Sequence, residues 1–398
     1  MGGKMVYEKL TAEEKKWVDE NVQKIEKKLV KVRERSAHKI PSQAVDGVHD
    51  DKAAEEDPSG MTRTFWTNGF WAGMMWQLYD ATKDERYAKV ARYTESVLNP
   101  CLLEIESHDI GYLWLPGSVL DYKITGNEQA MADGLTAAKW LAGRFNPACG
   151  VIRAWGGGNE SMPLVKGAPP VHMAGATIID CMLNLPLLYW ASETSGDPRF
   201  KLIAMRHADT TRKHFIRENG SVIHIVEFDP ESGEVKTDHG GQGCGRGSSW
   251  TRGQAWGLYG FTSSYRHTQK KEYLETAEKI ASYFIANIPE NGLIPSDFCQ
   301  PEEPWVQDDI GACAAACGLI ELSGLVPEET GRNYLDAAIK MLRAIDEKSA
   351  DWSEDTDGIT QNGTTGYHMP GRNMNYVYAD YFYVEAVLKL QGKGVFVW

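Results

Sequence analysis

Two carboxylates stand in apolar stretches that have little other use for them. The segment GATIIDCMLNLPLLYWA, residues 175–191, reads as one buried apolar helix carrying a single acid, Asp180, near its start. Asn184 follows four residues later, so on a helix the two side chains share a face. A structural use is also open to this pair: Asp180 caps a neighbouring helix and Asn184 satisfies it. The second acid is Asp109 in ESHDIGYLWLPGS, with His108 before it and aromatic residues after Gly111. Its plain alternative is an Asx turn with a capping histidine. Two carboxyls gathered in one apolar site would suit general acid and base chemistry. Burial and a like charge each disfavour ionisation, which leaves one of the two protonated at neutral pH.

A third cluster, HGGQGCGRGSSWTRGQAWGLYGF (239–261), joins a glycine-rich loop to an aromatic-rich helix. No lysine follows in the order a phosphate loop requires, and the glycines do not fit GxGxxG after a strand. The stretch reads instead as a loop folded over a ligand, with Gln242, Arg252 and Trp256 beside it. Thirteen tryptophans are many for this length, and Trp66, Trp71, Trp155, Trp250 and Trp256 lie next to polar candidates. Their faces could stack on the C–H faces of sugars, although tryptophan is more often simply buried. The ten histidines show no HExxH or HxH spacing, and no Cys/His group has zinc-like intervals. No metal or cofactor is expected, and no GxSxG elbow is present. What remains is the equipment of a carbohydrate-active enzyme.

The elements that must hold these residues are helices. KDERYAKVA (83–91), GDPRFKLIA (196–204), KKEYLETA (270–277) and GRNYLDAA (331–338) each set an aromatic residue four before an alanine, and 126–141 is a degenerate copy. Ring and alanine share one helix face, so each copy starts a helix that packs closely on a neighbour. Five or six helical hairpins with variable spacing predict an all-α (α/α)6 barrel rather than a solenoid, whose period is stricter. The chain is read as one catalytic domain, 1–398, with 1–60 as an N-terminal helix and loop extension. Thr11 and Glu14 form a capping box for that helix. The only clear strand signal is SVIHIVEFDPESGEVKT (221–237), a hairpin turning at 229–234 and expected on the loop face, where sites are built.

Composition excludes some partners. The formal charge is −13, from 42 basic against 55 acidic residues, and a phosphate backbone needs a basic face. Seven scattered cysteines imply no disulfide framework, and Cys313 and Cys317 read as small residues in tight helix packing. No apolar leader and no window near 18 apolar residues is visible, so no membrane partner is expected and a cytoplasmic protein is, or a periplasmic one had a leader been removed.

The strings RTFWTNGFWAGMMW, HDIGYLW, VIRAWGG, IIDCMLNLPLL, FDPESG, GSSWTRGQAWGLYGF and YADYFYVEAVLKL run in order from about residue 62 to 390 and resemble the unsaturated glucuronyl hydrolases, glycoside hydrolase family 88. The resemblance implies an (α/α)6 barrel acting on lyase-generated oligosaccharides whose terminal uronic acid carries a C4=C5 double bond. It implies Asp180 as catalytic acid/base and Asp109 as the second essential carboxylate. It suggests Trp66, His108, Trp155, His224, Gln242, Trp250, Arg252 and Trp256 as substrate contacts. Arg252 would pair with the uronate, and His224 would reach over the pocket from the hairpin. Asp180 is the group expected to hold the proton, with Asp109 ionised.

Two departures stand out. The chain has GGQG where the family commonly has HQG, with His239 two residues too early, and 362–376 lacks a Ser/Lys-rich stretch, leaving His368 and Arg372 as its cationic candidates. Two other functions fit the same residues: the same chemistry on unsaturated rhamnogalacturonyl or algal uronides, and a non-catalytic sugar-binding toroid.

Overall fold

The aromatic/alanine repeats each open an outer helix. In the computed structural model, which describes residues 2–53, 63–156, 160–163 and 169–398, these are Glu85–Leu98, Pro198–Phe215, Lys271–Ala286 and Glu328–Lys348. The rings of Tyr87, Phe200, Tyr273 and Tyr334 are buried, as are Ala91, Ala204, Ala277 and Ala338 four residues on. The degenerate copy is Glu128–Ala142, and Ala12–Arg35 completes an outer ring of six. Between them run six inner segments: Gly69–Thr82, 110–125, Leu185–Ser195, Thr251–Thr268, Asp309–Ser323 and Val377–Gln391. Each packs beside the next, and Val377–Gln391 returns to Gly69–Thr82, so the (α/α)6 barrel is closed.

Helix Ala12–Arg35 belongs to the barrel wall rather than lying outside it. The Tyr383 hydroxyl donates to Asn21 Oδ1 at 2.6 Å, and Trp17 Nε1 donates to Asp346 Oδ2 at 3.0 Å. Both bonds of the Thr11/Glu14 capping box are formed. Residues 54–60 of the expected extension, and Gly157 of VIRAWGG, lie outside the described residues.

The two faces of the barrel are built differently. Four inner helices end on a left-handed residue, Lys83, Gly126, Gly196 or Gln269, and the outer helix starts two residues later. Asp84, Asn127 and Asp197 cap three of those outer helices by accepting backbone N–H bonds. Returns from outer to inner helices are long, and each leads into the N-terminal end of an inner helix. The site is assembled on this face. One return carries the expected hairpin, Ile225–Phe228 with Val235–His239, joined by Ala176–Ile178 into a three-stranded antiparallel sheet.

That third strand corrects the reading of 175–191 as one helix. Ala176–Ile178 is strand, Ile179–Leu183 is a 3₁₀ turn, and the α-helix begins only at Leu185. Pro186 explains the break: it has no N–H to donate to a preceding turn, so it is accommodated in the first turn of a new helix. Asp180 therefore sits at a strand-to-helix junction, open toward the loop face.

The barrel wall also holds a protonated acid. Glu95, 7 % exposed, accepts a 2.6 Å bond from Trp76 Nε1, and burial, with the Asp121 charge adding to it, pushes its carboxyl up to about 8. Between the ordinary glutamate value and about 8, the unfolded chain ionises while the folded one keeps its proton, so folding stability falls as pH rises through that window. Glu95→Gln keeps an acceptor for Trp76 and removes the titration. Its melting temperature should match wild type near pH 4 and exceed it increasingly up to pH 8; equal melting temperatures at pH 8 would contradict the assignment.

Candidate active site

The two acids meet across inner segments 110–125 and 179–195, and Asn184 ties those segments together. Its Oδ1 accepts the Tyr112 N–H at 3.0 Å, and its Nδ2 donates to Asp180 O at 3.4 Å. The Tyr112 hydroxyl donates to the same Asp180 carbonyl at 3.2 Å. Gly111 permits the approach, since a Cβ there would lie 2.5 Å from Asn184 Oδ1. Asp180 and Asn184 are thus paired, but through the Asp180 backbone, which leaves the carboxylate for the pocket.

Neither carboxylate acts as a helix cap. Asp180 Oδ2 is buried without a hydrogen-bond partner among the described residues, and Asp109 precedes its helix without a side-chain cap bond. What faces Asp180 Oδ2, at 3.5 Å, is His224 Nε2. His224 Nδ1 accepts the Gln242 N–H at 3.0 Å, so the ring proton resides on Nε2 and points at the acid. The ring also leans on Trp250, with centroids 4.3 Å apart.

Asp109 also faces a histidine. His108 Nε2 lies 3.4 Å from its Oδ1, but His108 is fully buried, and that burial pushes its imidazole down to about 3. The neighbour is therefore a neutral ring, with both nitrogens unpartnered among the described residues. Burial, then the Asp180 charge, pushes the Asp109 carboxyl up to about 7. The buried Arg252 guanidinium lies in the field of Asp180. The raised carboxyl is Asp109.

Arg252 itself is 1 % exposed and heavily engaged. It donates to Thr364 O at 3.0 Å, to the Tyr378 hydroxyl at 2.8 Å and to Thr365 O at 2.6 Å, and it lies over the Trp250 ring at 4.7 Å. Asp308 Oδ2 stands 3.5 Å away. Arg252 thus anchors the 359–376 loop, and its remaining N–H groups are what it can offer a ligand. Gln242 joins the same loop through its side-chain amide to Thr365 O, and Tyr367 N donates to Gln242 O at 2.8 Å. His368 and Arg372 are engaged too, on Cys244 O and Tyr367 O respectively.

The aromatic candidates divide. Trp66, half-buried, packs against Tyr378 and Tyr112 at centroid distances of 4.8 and 5.4 Å, and Trp155 is brought to the acids by a bridge to Ser107. Trp256 is fully buried between Tyr112 and Phe382, so its ring supports the pocket lining from behind. Trp71 is core. Three contributors were missed: Tyr112, Arg144 and Asp308. Arg144 lowers Asp109 through its charge and has a buried Nη2 with no partner among the described residues. A repeated string, DIG at 109–111 and 309–311, marks the start of two inner helices and could have drawn attention to Asp309 and to Asp308 beside it.

Gly241 is a demanding position. Its φ is +55°, and a Cβ would stand 2.0 Å from His224 Nδ1. Gly241→Ala should push His224 away from Asp180 and lower kcat/KM by about 10²-fold, the effect expected of an ångström-scale misplacement. Steady-state kinetics with a melting curve checks this; wild-type kcat/KM would show that His224 is not held for catalysis.

Glycosyl Hydrolase Family 88 matches residues 31–397. An unsaturated glucuronyl hydrolase of Bacillus sp. (strain GL1) is 36% identical over 342 residues, 83% of this chain and 87% of that protein. An unsaturated chondroitin disaccharide hydrolase of Streptococcus agalactiae serotype III (strain NEM316) is 31% identical over 349 residues, 85% and 84% of the two chains. The crystal structure of the unsaturated glucuronyl hydrolase responsible for the degradation of glycosaminoglycan, from Bacillus sp. GL1, superposes with a TM-score of 0.82 at 32% identity, covering 93% of this chain and 96% of that one.

Proposed function

This chain belongs to Glycosyl Hydrolase Family 88, and from that premise we propose that it removes the unsaturated uronic acid from the non-reducing end of lyase-generated, glycosaminoglycan-type oligosaccharides by hydrating the C4=C5 bond. The observation that carries this reading is the apposition of Asp109 and Asp180, the first pushed up by burial and then by the charge of the second, among aromatic rings and beside a buried arginine. An unsaturated uronide is a vinyl ether, so its activation requires a neutral acid and a group that tolerates a cation.

The pair holds one proton to give. Asp109 keeps it, its carboxyl raised by burial and then by the Asp180 charge. A uronate carboxylate bound beside Arg252 neutralises the guanidinium, and the proton passes to Asp180 for delivery to the substrate. Asp180 then protonates C4, and the C4=C5 electron pair becomes the new C–H bond. The resulting cation is shared by C5 and the ring oxygen, and ionised Asp109 stabilises it. The Asp180 carboxylate takes a proton from water as the water oxygen bonds to C5. The hemiketal opens to the 5-keto-4-deoxyuronate, the C1–O bond to the aglycone breaks, and the aglycone leaves as an alcohol. Trp66 and Trp155 supply faces for the sugar, and His224 Nε2–H orients the acid.

Running the reaction in D₂O tests the chemistry. Deuterium should appear at C4 of the uronate product, with loss of the double bond. An intact C4=C5 bond in the released sugar would mean direct displacement at C1 and would overturn the reading.

A further inference from the structure

Residues 393–398 turn back along helix Val377–Gln391 into the barrel axis, where the sequence offered no reason to expect anything. Lys393 N donates to Leu388 O at 3.1 Å, Lys123 Nζ donates to Phe396 O at 2.8 Å, and Arg266 Nη1 donates to Trp398 O at 2.7 Å. The segment ends in a ring that is 1 % exposed. Its Nε1 donates to the Tyr381 hydroxyl at 3.1 Å, and its centroid stands 5.8 Å from Tyr112, 6.2 Å from Phe382 and 6.3 Å from Phe70. These rings belong to the N-terminal ends of three inner segments, the ends that carry the site.

Tyr112 connects this axial ring to the chemistry. Trp66 lies 5.4 Å and Trp256 5.7 Å from its ring, its hydroxyl bonds the Asp180 carbonyl, and its N–H is held by Asn184. We infer that Trp398 is a positioning residue for the acid: it fills the barrel axis beneath the pocket and holds Tyr112 against the Asp180 backbone. The inference rests on the proposed function, since it assigns Trp398 a part in delivering that proton. Without the indole, Tyr112 can drop into the vacated axis, and the Asp180 backbone that it bonds shifts with it, with no contact to substrate removed. The expected signature is a fall in kcat with little change in KM.

The test uses the full chain with Trp398→Phe, Trp398→Leu and Trp398→Ala, measuring kcat, KM and melting temperature on an unsaturated disaccharide, with and without added indole. In variants folded at the assay temperature, kcat should fall in the order Phe, Leu, Ala, reaching about 10²-fold, with KM within about twofold of wild type. Indole should restore part of the activity of Trp398→Ala, because an apolar cavity accepts an apolar guest. If the alanine variant does not fold, the phenylalanine and leucine variants carry the test. Wild-type kcat in every folded variant, or a loss that follows the folded fraction and ignores indole, overturns the inference. A wild-type enzyme inert on every unsaturated substrate overturns the proposed function and this inference with it, whereas an active wild type with unchanged variants overturns this inference alone.

Discussion

Asp180→Asn should bind unsaturated oligosaccharide normally and turn it over about 10²- to 10⁴-fold more slowly, the range spanned by general acid and base catalysis. The amide is nearly isosteric and still faces His224 Nε2, so the pocket is preserved. What disappears is both the proton for C4 and the base for water. Because the Asp180 backbone carbonyl, rather than its carboxylate, accepts the Tyr112 and Asn184 bonds, the substitution leaves the local architecture intact. Calorimetric binding beside turnover checks both halves of the expectation. A variant that retains wild-type kcat would remove Asp180 from the mechanism.

Asp109→Asn should be nearly as severe, about 10²-fold or more in kcat, and it carries a pH signature that Asp180→Asn does not. With Asp109 pushed up to about 7, the wild-type pair keeps its shared proton below pH 7 and loses it above, so kcat/KM should decline on the alkaline side of that value. Replacing Asp109 removes the raised carboxyl from the site. The residual activity should therefore lose the alkaline limb that Asp109 gives the wild type near pH 7. An alkaline limb that stays near pH 7 in Asp109→Asn would assign it to another group.

Much of this site was legible in the sequence because its residues announce themselves by contrast. An acid inside IIDCMLNLPLL and another in HDIGYLW are conspicuous, and the aromatic/alanine repeats mark outer helices through a simple i, i+4 rule. What pattern reading misjudged has local causes. Apolar runs of 4 to 8 residues do not distinguish strand from helix, so Ala176–Ile178 was absorbed into the helix that Pro186 begins. How far Asp109 is raised depends on its burial and on the charges set around it, a matter of three-dimensional placement that spacing does not encode. Trp398 carries no periodic signal, and its importance arises only because residues 393–398 fold back into the axis. Helix Ala12–Arg35 looked like an appendage because its charged face is continuous in sequence, whereas its buried stripe, Val18, Val22, Ile25, Leu29 and Val32, meets the barrel.

The most direct test of the central claim follows the ultraviolet absorbance of the C4=C5 bond in unsaturated glycosaminoglycan disaccharides, with wild type and Asp180→Asn side by side. The absorbance should decay steadily with wild type and stay essentially constant with the variant at equal substrate occupancy. Equal decay rates for the two proteins would contradict that claim.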